Sequence, residues 1–183
     1  MALVVSVKKL ARSNVLVHEM NCVETLARVN VLCVDKTGTI TRPDMSVSDV
    51  VFLKDNVGKL IAGVAGNMDD DNETMKAIKN YYHITGRDNS AERVYSFSSQ
   101  NKYSGAVLDG RCYIFGAPEY VLLDTYAEYE DIFERYSGHG ERILVFGECV
   151  GDPCGNIIEE AVNPYAFIIL ENEIRDTAKE TIQ

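Results

Sequence analysis

The chain has 183 residues, 46% of them hydrophobic, and a formal charge of −10. That is apolar material for one ordinary domain or two small ones, and no stretch has the low hydrophobicity and single charge sign of a disordered tail. The net charge repels nucleic acid and anionic lipid, so any phosphate must be held by a few placed cations and not by a basic surface.

The five cysteines show no two-residue spacing, which suggests neither a zinc knuckle nor a redox pair. Cys33, Cys112 and Cys149 lie in apolar runs and are expected to be buried thiols of a reducing compartment. Met1 to Val5 is apolar, but Lys8, Lys9 and Arg12 follow it. The stretch is far short of the roughly 20 residues of a spanning helix, and its charges stand on the wrong side for a signal peptide. Such a start is expected of a cut through a longer chain.

In chain order, Val4 to Val17 and Asn21 to Arg28 carry near-helical spacing. Val29 to Val34 is a β-branched apolar run that stops at Asp35, as a buried parallel strand would. In open α/β sheets that strand end faces the ligand crevice. Pro43 and Asp44 break the pattern, Met45 to Leu53 alternates as a strand, and Val57 to Val64 reads as a helix. Asn72 is placed to cap a helix with Met75, Ile78 and Tyr82 on one face, preceded by the acidic triplet Asp69, Asp70 and Asp71, read as a solvated approach. Arg93 to Phe97, Ser104 to Leu108 and Cys112 to Phe115 are short strands, the last two joined by the hairpin pair Asp109-Gly110. Ala117 to Asp124 and Glu128 to Tyr136 suit helices, Arg142 to Val150 a strand, and Gly151-Asp152-Pro153 a turn.

Tyr165 to Leu170 echoes Val29 to Val34 and precedes a charged helix from about Arg175, so it reads as a second strand of the first sheet. The predicted fold is therefore α/β, a partial Rossmann-like parallel sheet interrupted by an inserted α+β domain with an antiparallel sheet. Its boundaries are residues 1–42, 43–164 and 165–183. His18, His83 and His139 are isolated, with no partner at ligand spacing, and are given ordinary surface or packing roles.

The run Asp35-Lys36-Thr37-Gly38-Thr39-Ile40-Thr41 sets a carboxylate, a cation, hydroxyls and a flexible glycine at one predicted strand tip. It resembles the phosphorylation signature of P-type (E1-E2) cation-transporting ATPases, and Val23-Glu24-Thr25-Leu26 is similar to the stretch that precedes it there. The resemblance implies a haloacid-dehalogenase-like fold, with Asp35 as the nucleophile that forms an aspartyl phosphate, and Lys36, Thr37 and Thr39 as its catalytic neighbours. It also implies ATP and Mg2+ as cofactors, with the metal at Asp35 and Thr37. Phosphatases of that superfamily carry a second aspartate two positions after the nucleophile, where this chain has Thr37. Without that acid to activate water the acyl phosphate lives longer, as a pump requires.

Phe97-Ser98-Ser99-Gln100-Asn101-Lys102 resembles the family's nucleotide-domain motif, and implies adenine stacking on Phe97 with Ser99 and Lys102 lining the pocket. Phe115-Gly116-Ala117-Pro118-Glu119 resembles the Lys-Gly-Ala-Pro-Glu element, with Phe115 in place of the lysine. Gly140-Glu141-Arg142-Ile143-Leu144 resembles the element whose arginine reaches the nucleotide phosphates. Asp71-Asn72-Glu73-Thr74 loosely matches a helix near adenine, with Met75 where an acid is usual. Asn172-Glu173-Ile174-Arg175 resembles the hinge, with Asn172 for the usual Asp and Arg175 kept.

The implied function is the ATP-binding and phosphorylated segment of a membrane cation pump. Its partners are the pump's membrane helices, actuator domain and transported cation, and it lies on the cytoplasmic side of the membrane. Two alternatives stand beside it: a haloacid-dehalogenase-like phosphatase with a large cap, and a nonenzymatic nucleotide-binding module.

Overall fold

The computed structural model describes residues 2–19, 21–69, 72–138, 140–154 and 156–182, leaving aside the side chains of Ala2, Leu3, Thr37, Ser137 and Ile182. The chain forms two compact units, Met1–Lys36 and Thr37–Gln183.

The first unit holds helices α1 (Ala2–Arg12) and α2 (Cys22–Leu26), the latter tied by an Arg28 to Glu24 ion pair one turn apart. Residues 29–35 then run outside any sheet. Val31 and Leu32 are 72% and 79% exposed. The buried parallel strand expected at Val29 to Val34 is therefore not formed, and Cys33, expected to be buried, is exposed. The physical reason lies in pairing: a parallel strand needs a neighbour, and the strand expected to supply it is engaged elsewhere.

That strand is β6 (Asn163–Ile174), in the second unit. It pairs antiparallel with β1 (Thr41–Phe52) on one side and with β5 (Arg142–Glu148) on the other. With β2 (Arg93–Tyr95), β3 (Tyr103–Leu108) and β4 (Arg111–Gly116) they make one antiparallel sheet in the order β1-β6-β5-β4-β3-β2. Tyr165 to Leu170 thus belongs to the same sheet as Met45 to Phe52, and does not resume a parallel one.

Both faces of the sheet are covered. Helices α3 (Val57–Gly66) and α4 (Glu73–Tyr81) lay Ile61, Val64, Met75 and Ile78 on Ala106, Phe115, Phe146, Ile168 and Leu170. On the other face, the short α5 (Pro118–Val121), a tight 3-10 turn at Leu123–Tyr129 and α6 (Glu130–Ser137) pack Val121, Leu122 and Phe133 on Ile114, Val145, Phe167 and Ile169. Successive β6 side chains alternate between these cores, so Ala166 to Leu170 are all 0% exposed. Phe167, Ile168, Ile169 and Leu170 each contribute roughly 1.5–3 kcal/mol by leaving water. A last helix, α7 (Ala178–Ile182), follows β6.

Several local expectations hold. Asn72 caps α4, its Oδ1 accepting from Met75 N at 2.9 Å. Asp109 and Gly110, at φ 50° and 72°, make the β3-β4 turn in the left-handed geometry that matches strand twist. Asp69 pairs with Arg87 at 2.6 Å, while Asp70, Asp71 and His139 lie outside the described residues.

One polar cluster fixes the edge beyond β2. Tyr95 donates its hydroxyl proton to Asp152, and Arg93 reaches the same carboxylate at 2.6 Å. The Tyr95 bond, foremost, holds Asp152 below the usual carboxylate range, while burial and that same bond push Tyr95 up to about 12. A carboxyl whose folded value is depressed stabilises the fold above its unfolded value, near 4, and loses that contribution as pH falls through the folded one. The expected result is that Asp152→Asn flattens the acid limb of an unfolding-midpoint-versus-pH curve below about pH 4.

Candidate nucleotide site

A cleft of about 600 Å³ opens where β4 parts from β5. That volume suits a bound small molecule or cofactor. Its walls come from separate parts of the sequence: Asn72, Thr74 and Met75 from the start of α4, Phe97 from the loop after β2, Lys102 and Ser104 from the entry to β3, Phe115 from the end of β4, and Glu141 to Leu144 from the entry to β5. Ala117 to Glu119, at the start of α5, together with Tyr126 and Phe133 complete it from the second face.

Four of the residues read from the sequence as nucleotide contacts, Phe97, Lys102, Phe115 and Arg142, therefore share one cleft. Phe97 is 48% exposed, an aromatic face open for stacking. Phe115 is 2% exposed and packs on Phe146 with ring centroids 4.9 Å apart, so it is part of the core as well as the cleft wall.

Lys102 has φ 60°, a left-handed conformation that costs a residue with a Cβ about 1 kcal/mol or more. The backbone around it is closed by Lys102 N donating to Ser98 O at 2.8 Å and Ala117 N donating to Lys102 O at 3.2 Å. This loop holds Lys102 at the cleft and sets its ammonium 5.9 Å from the Tyr120 ring centre. Among the described residues neither Lys102 nor Arg142 is in an ion pair, and Arg142 is exposed.

Ser99 is exposed and is not among the cleft-lining residues. Gly116 is not a cleft wall either. A Cβ there would lie 2.3 Å from Val121 Cγ1, so its missing side chain lets α5 fold back onto β4. Asn172, near the C-terminal end of β6, and Arg175, just past it, are not among the cleft-lining residues. The Asn172 amide donates to the carbonyls of Arg42, Pro43 and Asp44 at 3.4, 3.4 and 3.1 Å. A carboxylate would set its lone pairs against those oxygens, which explains asparagine at this place. Arg175 donates through Nη2 to Gly38 O at 3.0 Å and through Nε to Thr41 O at 3.2 Å, and its own N–H bonds Ile40 O at 3.0 Å. Arg175 thereby pins the wide turn Lys36–Ile40, which Gly38 enters at φ 80°.

Asp35 and Thr39 are exposed, and the side chain of Thr37 lies outside the described residues. No group of three or more His, Cys, Asp or Glu among the described residues could hold a metal by itself. The donors predicted for Mg2+, a carboxylate oxygen of Asp35 and an oxygen of Thr37, suit an ion that keeps several waters and binds substrate phosphates.

Asn72 and Thr74, from the stretch that loosely matches a helix near adenine, also line the cleft, and Ser104, Tyr126 and Glu141 line it without a predicted contact role. Of the last three, only Glu141 carries a hint in the sequence, as the immediate neighbour of Arg142.

No family model matches the chain. It is 35% identical over 183 residues, 99% of this chain, to the "Calcium-transporting ATPase CtpE" of Mycolicibacterium smegmatis, and covers 23% of that protein. It is 37% identical over 189 residues to the "Probable cation-transporting ATPase exp7" of Streptococcus pneumoniae, covering 24% of it. The chain thus spans about a quarter of the length of these relatives. Its fold resembles the catalytic domain of the CPx-ATPase CopB-B, with a TM-score of 0.60 at 11% identity over 96% of this chain and 58% of that one. It also resembles a zinc-transporting PIB-type ATPase, with a TM-score of 0.56 at 16% identity over 81% of this chain and 22% of that one.

Proposed function

We propose, from the premise that this chain is homologous along 99% of its length to a segment of P-type cation-transporting ATPases, that it binds ATP in the β4-β5 cleft and accepts the γ-phosphoryl group on Asp35. The observation that carries this reading is the convergence of Phe97 and Lys102, from the β2-β3 loop, and Arg142, from the entry to β5, on one cleft.

The division of labour follows from the side chains. The half-exposed Phe97 ring offers a face for the base, and stacking of this kind contributes about 1–3 kcal/mol. Lys102 and Arg142 favour the polyphosphate, Arg142 through the planar fork that matches phosphate oxygens. In the transfer step a carboxylate oxygen of Asp35 forms a bond to the γ-phosphorus as the bond from that phosphorus to the β-γ bridging oxygen breaks, and ADP leaves with the electron pair. Lys36 offsets negative charge on the transferring group. Mg2+ held at Asp35 and Thr37 would share phosphate oxygens and neutralise charge there. With threonine at position 37, this chain has no acid two places after the nucleophile to activate water, which supports a long-lived acyl phosphate over a phosphatase.

In this reading the nucleotide-binding unit runs from Thr41 to Ile174, and the phosphorylation unit draws on residues before and after it. The whole pump moves a cation across a membrane, with this segment on the cytoplasmic side. No helix among the described residues is long and apolar enough to cross a bilayer.

The test is a titration of the chain with ATP followed by backbone amide shifts. The shifts are expected to cluster at Phe97, Lys102 and Arg142, and Phe97→Ala is expected to weaken binding about tenfold. Shifts that gather away from the cleft, or an unchanged affinity in the variant, would show the assignment to be wrong.

A further inference from the structure

No spacing along the chain pairs its cysteines, but the sheet does. Tyr113 lies opposite Glu148 in the antiparallel β4-β5 ladder, so the next position outward sets Cys112 opposite Cys149. The main chain joins them there, Cys149 N donating to Cys112 O at 2.9 Å. Residues directly opposite each other share a face of the sheet, and both cysteines belong to the core that holds Val121, Leu122 and Phe133. The two thiols are free and share a hydrogen bond.

At a hydrogen-bonded antiparallel pair the Cα atoms stand about 5.5 Å apart, inside the range of about 4.4–6.8 Å that a disulfide spans. The spacing of the sheet itself therefore suits a bridge. The shared hydrogen bond holds Cys112 below the ordinary thiol range against the opposing effect of burial, and the same bond pushes Cys149 up. One proton thus leaves the pair more readily than the other, and a thiolate is the form that attacks disulfides. Cys149 also lines a surface pocket of about 280 Å³ with Asp152, Asn156 and Ile158, which gives a small reagent an approach to the pair.

We infer that Cys112 and Cys149 form a dithiol site for exchange with a small disulfide such as glutathione disulfide, closing reversibly to a cross-strand bridge. A thiolate of the pair attacks one sulfur of the reagent RSSR, and a mixed disulfide forms as RS− leaves. The second thiol gives up its proton and attacks the protein sulfur of that mixed disulfide, and another RS− departs. Both protons end on the released thiolates, so RSSR becomes two RSH as the dithiol becomes a disulfide. The bridge ties two strands that are distant in sequence and so constrains the unfolded chain. Neither cysteine lines the β4-β5 cleft, so the inference is independent of the nucleotide reading.

The experiment incubates the native chain with glutathione disulfide, alkylates the remaining thiols, and maps the digested product by mass spectrometry. The expected product has lost two hydrogens and joins the Cys112 and Cys149 peptides. Its thermal midpoint is expected to lie roughly 5–10 °C above that of the reduced chain and to return on addition of dithiothreitol. In Cys112→Ser the bridge cannot close, and Cys149 is expected to keep a glutathione adduct in its place. The bridge is read in the unaltered chain, so the result stands whether or not that variant folds. Adducts confined to Cys22, Cys33 and Cys154, with Cys112 and Cys149 alkylated as free thiols, overturn the inference. A bridge to Cys154 in place of Cys112 overturns it too, as does one between Cys112 and Cys149 that forms only in denaturant.

Discussion

Asp35→Asn is expected to abolish the phosphorylated intermediate in a full-length pump that carries this segment. In the proposed transfer the carboxylate oxygen is the atom that bonds to phosphorus, and a neutral carboxamide is too weak a nucleophile to take its place. Asp35→Glu keeps the functional group but carries it one methylene further along, and a misplacement of about 1 Å in such a step costs on the order of 100-fold. The measurement is acid-quenched labelling from γ-labelled ATP, followed by hydroxylamine, which cleaves acyl phosphates. Label that persists in Asp35→Asn at the parent's level would remove Asp35 from the role of acceptor. The same variant should still bind ATP at the cleft, because Phe97, Lys102 and Arg142 are untouched.

The second large effect concerns stability. Gly105 lies in the middle of β3, opposite Ile114 of β4. A Cβ there would meet the Tyr113 carbonyl oxygen at 2.3 Å and Ile114 Cγ2 at 2.7 Å. The nearer atom is backbone and is held in the sheet, so the two strands would have to part. Overpacking of this kind costs about 1–3 kcal/mol, and a clash with main chain falls at the upper end. Gly105→Ala is therefore expected to lower the thermal midpoint by roughly 6–12 °C in a chain of this size. A shift of under about 2 °C would mean that the strands adjust freely and that the close approach is not a constraint. Gly110→Ala is a useful contrast: nothing lies within 4 Å of its Cβ position, so its cost comes from the positive φ alone.

The local grammar of the second unit was legible because each signal has a local cause. Asn72 could be assigned as a cap because its short amide side chain reaches Met75 N, and Asp109-Gly110 as a turn because both residues tolerate positive φ. The pairing of β6 was not legible, for a reason that is equally physical. Phe167-Ile168-Ile169-Leu170 is buried on both faces because helices cover both sides of the sheet. A continuous apolar run is therefore the same whether its neighbours are parallel or antiparallel, and the usual link between such runs and parallel sheets misleads here.

The cleft was legible in part for a similar reason. Phe97, Lys102 and Arg142 stand in short motifs with recognisable neighbours, so they could be named in advance. Tyr126 and Phe133 reach the cleft from helical segments whose apolar faces read as ordinary core, and only the three-dimensional arrangement brings them there. Asn172 is the reverse case. Its departure from the family pattern is legible in the sequence, but its purpose becomes clear only from the three carbonyls of Arg42, Pro43 and Asp44 that its amide holds.

The adjacency of Thr41 and Ile174 in the sheet has a mechanical consequence. Everything between these two residues is suspended from a ribbon two strands wide, stitched by Asn172 and Arg175 at its base. A ribbon of that kind gives way when bent across its flat side, yet resists being stretched or wrung, since either would shear its cross-links.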